Sequence, residues 1–103
     1  MEPIEPIGPT RRDVLKMKMD GLRLLVQARL GLEEWPGDWA AAGQILEDAY
    51  FNFQRAKSGE QLFGITLFGD RVNGTGIDEN ALVAIFRAYL LQKMEEDELN
   101  LGP

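Results

Sequence analysis

At 103 residues the chain has room for one domain with a single core, burying about two-thirds of the unfolded surface. It contains neither cysteine nor histidine, which excludes disulfides, thiolate nucleophiles, imidazole bases and the usual zinc ligand sets together. A net charge of −6 repels a phosphate backbone unless the basic residues gather on one face.

Taken in chain order, Met1–Pro9 carries Pro3, Pro6 and Pro9. Proline at every third position fixes φ and removes donors, so residues 1–9 read as an extended arm. Such an arm is either a frayed tail or lies on another surface, and Ile4 and Ile7 would then be its apolar anchors. The opening is rich in Glu and Pro instead of basic and then apolar, so no signal peptide is expected. The protein is accordingly placed in a cytoplasm or within a particle assembled there.

Thr10 followed by Asp13 reads as a helix start, and Gly31 as its stop, giving a first helix over about 10–30. At about 100° per residue, Arg12, Asp13, Lys16, Asp20, Arg23 and Gln27 form a narrow polar stripe. The wide apolar remainder, including Met17, Leu22, Leu24, Leu25 and Val26, implies that this helix packs against two things. Thr10–Leu30 also holds six basic residues against two acidic ones. No aromatic residues are interleaved with them, which disfavours single-strand binding. The acidic run Glu95, Glu96, Asp97 and Glu98 balances this stretch at the other end, so the two read foremost as solvated faces that oppose each other.

Pro36-Gly37 marks a turn with Asp38 as the next cap. Trp35 and Trp39 bracket it, as a staple of the loop to the core or as an interface anchor. From there a second helix is predicted over 38–57, with Ala41, Ala42, Ile45, Ala49, Tyr50 and Phe53 on one face. Phe51 breaks that pattern by falling on the polar face, which marks it as a contact beyond the chain. Leu62–Phe68, Gly69-Asp70 and Arg71–Gly74 read as a short β-hairpin at 62–73 or as an ordered loop. The glycine-rich stretch that follows does not make a calcium loop. With Asp70 first, Thr75 occupies the glycine position, and with Gly76 in that position Arg71 comes first. It reads as a turn, with Asp78 capping the last helix.

That helix, over 78–97, contains Ala81–Leu91, in which Arg87 is the sole residue that is not apolar. A run of this kind is too short to span a bilayer and must be covered by protein. Ala81, Ala84 and Ala88 form a narrow stripe suited to a close helix neighbour. Arg87 sits at the rim of the helix or pairs with an acid of a partner.

The predicted architecture is therefore mainly α: a three-helix bundle-like domain over residues 10–98, an extended arm at 1–9 and a C-terminal tail at 99–103. Helices with a hairpin before the last one, plus extended termini, resemble in shape the ring-forming connector proteins of tailed-phage particles, without a motif. No catalytic, metal or cofactor-binding residue is assigned, because the adjacent carboxylate pairs point about 100° apart on a helix. The function expected is that of a non-enzymatic structural or assembly subunit, contacting protein partners in a homo-oligomer or a multi-subunit particle. Ile4, Ile7, Trp35, Phe51, Phe63, Phe68 and Arg87 are the candidate interface residues. A small acidic inhibitor and a helix-turn-helix DNA-binding regulator are the alternatives, the last weakened by a second helix whose bases are Arg55 and Lys57 alone. Nucleic acid is disfavoured as a partner, and no membrane span is expected.

Overall fold

The computed structural model describes residues 10–55 and 62–100. The expected arm at 1–9 and the end of the chain beyond 100 lie outside those residues. The elements run α1 (Arg11–Lys16), α2 (Met19–Leu30), α3 (Asp38–Glu47), β1 (Tyr50–Arg55), β2 (Phe63–Phe68), β3 (Asn73–Asp78) and α4 (Ala81–Asn100). The three strands form one antiparallel sheet in the order β1-β2-β3. The fold is α+β, which overturns the expected mainly α bundle.

Three local differences make up that correction. The helix expected over 38–57 stops at Glu47, and Tyr50–Arg55 leaves it as a strand. Within it Phe51-Asn52-Phe53-Gln54 alternates aromatic and polar residues, so period two replaces period 3.6. The hairpin expected at 62–73 extends instead to Asp78, since Asn73–Asp78 pairs with β2 from Phe68↔Asn73 to Phe63↔Asp78. The glycines read as a turn thus belong to a strand. Finally, the helix expected over 10–30 breaks at Met17 and Lys18, whose ψ values of 139° and 168° are extended.

The cause of that break lies far along the chain. Arg87 Nη2 of α4 donates to the Met17 carbonyl at 3.1 Å, taking an acceptor that a continuous helix would have used. On either side the local signals operate. Thr10 and Asp13 form a reciprocal capping box, and Gly31 ends α2 in the left-handed region at φ 71°. The start of α4 is capped by Asn80, whose Oδ1 accepts from Leu82 N at 2.9 Å. Asp78, the cap expected from the sequence, accepts from Asn80 N instead.

The apolar run of α4 is the centre of the molecule. Val83, Ala84, Ile85, Phe86, Ala88, Tyr89 and Leu90 are all buried, together with Val14, Leu22, Val26, Ala41, Ile45, Ile65 and Leu67. One side of α4 meets α1, α2 and α3, and the other meets β2 and β3. The cover for this helix therefore comes from its own chain. Its alanine stripe receives a strand where a helix was expected. A Cβ on Gly74 would fall on the Ala88 carbonyl oxygen, and one on Gly76 on that of Ala84, so alternate glycines let the β3 backbone lie against α4.

Candidate protein interaction surface

Cross-strand partners share a face of the sheet. Phe51, Phe53 and Arg55 of β1 pair with Leu67, Ile65 and Phe63 of β2, and Leu67 and Ile65 are buried beneath the helices. Phe51 and Phe53 thus lie on the helix-bearing face. They are nevertheless 46% and 43% exposed, because α4 covers β3 and β2 and leaves β1 without a roof. On the opposite face Tyr50 pairs with Phe68, and both are exposed, as is Ile77. Asn52, Thr66 and Thr75 lie between them across the strands, and the two threonine hydroxyls are 3.1 Å apart.

Every residue of β1 is exposed, and the strand is paired on one side alone among the described residues. Its open edge carries no proline and no lysine, and its register with β2 runs without a bulge from Tyr50 to Arg55. Those are the usual devices by which an edge strand is protected from pairing with another chain. The rings along it are ordered by one another: Phe53 and Phe63 have centroids 5.7 Å apart, and the Arg55 guanidinium lies 5.7 Å over Phe63.

The seven residues singled out from the sequence fall into three groups. Phe51, Phe63 and Phe68 come together on this sheet, on its two faces. Trp35 and Arg87 are elsewhere and are held by their own chain. The Trp35 ring meets Phe86 edge-on at 5.8 Å, and its Nε1 donates to Asp38 at 3.0 Å. Arg87 donates to Asp78 at 2.9 Å and to the carbonyls of Ile77 and Met17, with its Nε buried and unpartnered. Ile4 and Ile7 lie outside the described residues. Tyr50, Phe53 and Ile77 were missed. The signal for Phe53 was present in the alternation Phe51-Asn52-Phe53-Gln54, which Phe51 marked as a misfit to the helical period.

Several charged groups are paired within the chain. Asp38 receives both Arg23 Nε and Nη2 at 2.8 Å, and the Arg23 guanidinium with the Trp35 indole holds its carboxyl below the usual range. The acidic run of α4 faces the basic helices. Arg11 donates to Glu98 at 2.6 Å, and Arg29 grips Asp97 through two bonds of 2.7 and 2.6 Å, which lowers the Asp97 pKa.

A cleft of about 390 Å³ opens beside the strands, with Asp48, Asp70, Lys93 and Glu96 among its lining. Lys93 donates to Glu96 at 3.2 Å, and burial pushes the Tyr89 phenol on its wall up. Among the described residues no group of three or more acidic side chains converges as a metal site. No described helix is long and apolar enough to cross a membrane.

Compared with family models, with curated proteins and with solved structures, the chain matches none.

Proposed function

We propose that this chain is a non-enzymatic assembly subunit that works through protein–protein contacts in a homo-oligomer or a larger particle. The observation that carries this is the unroofed strip of sheet: aromatic side chains of β1, on the core-facing side of a folded domain, stand in solvent beside an unprotected strand edge. Exposed apolar patches of this kind mark contact sites, and Phe and Tyr are enriched at the centres of protein interfaces. The lack of His and Cys and the scattering of the carboxylates support a non-catalytic role.

The alternatives draw less support. An acidic inhibitor needs free carboxylates on one face, whereas Asp97 and Glu98 are paired with Arg29 and Arg11. A helix-turn-helix regulator needs a groove-reading second helix. Arg55, one of its two bases, belongs to β1, and α3 itself carries no base. The likeness to phage connectors rested on a helical arrangement that the sheet replaces, so it adds nothing to the proposal.

Sedimentation equilibrium over a range of concentrations tests the proposal. A mass above that of the 11.6 kDa chain is expected. A protein that stays monomeric at about 100 µM, weaker than specific self-association of this size requires, and that enters no larger complex would overturn it.

A further inference from the structure

We infer that two copies of this chain join edge to edge through β1, antiparallel about a two-fold axis at Asn52, to make one continuous six-stranded sheet. The inference deepens the assembly role proposed above and rests on it. Its starting point is the edge of β1, unpaired among the described residues, with six exposed residues that include no proline, lysine or bulge.

Symmetry then restricts the register. A two-fold axis perpendicular to the sheet keeps both helical layers on one side and makes the contact isologous, the commonest form of dimer. It can only bring together residues of the same face, so positions must pair with others of the same parity. Centred on Asn52, the strands place Phe51 opposite Phe53 of the second copy and Phe53 opposite its Phe51. Four phenylalanines that are nearly half exposed in one copy then meet in the trough between two helical layers. Tyr50 faces Gln54 across the opposite surface.

Charge selects the same arrangement. Arg55 is the sole charge on β1 and makes no ion pair among the described residues. In this register it stands opposite Ala49 of the second copy, next to the C-terminal end of α3. That end carries Glu47 and Asp48, has no base in its last turn and is the negative pole of the helix dipole. Neither carboxylate forms an ion pair among the described residues, so a cation from the second copy complements that pole. A chain of net charge −6 thus presents to itself one edge that is free of acids and ends in a base aimed at an acidic helix terminus.

The absence of native cysteine gives a direct test. Asn52→Cys places two thiols across the axis at the spacing of a facing strand pair, about 4.5–5.5 Å between Cβ atoms. A short bis-maleimide should therefore convert the variant into a covalent dimer at micromolar concentration. Thr75→Cys, exposed on β3 at the opposite edge of the sheet, should stay uncoupled. Adding Phe53→Lys to the Asn52→Cys chain should weaken association about tenfold or more, as loss of a central interface aromatic does. Circular dichroism checks that this double variant is folded, and the cross-link of the single variant stands regardless. Coupling at 52 but not at 75 supports the inference. Oligomers that form without coupling at 52 would overturn edge pairing and leave the assembly role standing. A monomer at every concentration would overturn edge pairing, and one that also enters no larger complex would overturn the assembly role with it.

Discussion

Asp38 shows how one carboxylate fixes a loop. It binds Arg23 of α2 through two bonds and the Trp35 indole through a third, tying the Pro36-Gly37 turn to the helix before it. Because its folded pKa lies below the ordinary value of about 3.9, its contribution to stability is present above that value and lost as pH falls through the depressed one. Asp13 and Asp97 are lowered as well, by bonds from Thr10 and Arg29 respectively, so all three act in the same direction. Thermal melts should therefore fall steeply below about pH 4, and Asp38→Asn should lower the melting temperature at neutral pH while flattening part of that acid limb. A variant as acid-sensitive as the parent would contradict this. Arg87 carries a larger effect, with its side chain 13% exposed and its partners Asp78 and the carbonyls of Ile77 and Met17 at hand. Arg87→Met should cost on the order of 3 kcal/mol in denaturant melts, because it strands a partly buried carboxylate and two acceptors.

At the scale of elements, β3 against α4 is the tightest joint in the fold. Gly74 and Gly76 bring the strand backbone onto the carbonyls of Ala88 and Ala84, a contact that a methyl group would separate. Gly76→Ala is expected to destabilise by about 1–3 kcal/mol through overpacking. Gly43 on the exposed side of α3 has nothing within 4 Å of an added Cβ. Gly43→Ala should therefore stabilise by about 0.5–1 kcal/mol by raising helix propensity. Equal effects in urea melts of the two variants would refute the close approach. Much of this was legible in part: Gly31 as a helix stop, Thr10 as a cap and the apolar run of α4 as a core element are local signals. The β1 strand was not legible as such, because Ala41–Ile45 starts a true helical period and no Gly or Pro separates it from Tyr50. The single warning was Phe51, which the helical period placed among polar residues.

The whole molecule resolves its hydrophobic excess unevenly. α4 is covered from both sides by its own chain, and the exposed aromatic side chains gather on β1, the strand that extends past the helical layer, while Leu15, Leu24 and Trp39 stand exposed singly on the helices. Two copies of net charge −6 repel out to roughly the Debye length, about 30 Å at 0.01 M salt and about 10 Å at 0.1 M, while contacts across the edge act at a few ångströms. Raising salt from very low to moderate values should therefore increase the dimer fraction in sedimentation at fixed protein concentration. A decrease would mean that charge pairs dominate the contact.

What the sequence determined by itself was whatever depends on neighbours along the chain: caps, helix stops, the chemistry ruled out by missing residue types, and the need of Ala81–Leu91 for cover. Only the tertiary structure decided where the first helix breaks and which surface is left bare. The break needs the Arg87 guanidinium, brought to Met17 from 70 residues away. The bare strip arises because α4 is wide enough for two strands of a three-stranded sheet. Neither can be read from local periodicity, since each depends on which distant backbone comes to lie beside which face.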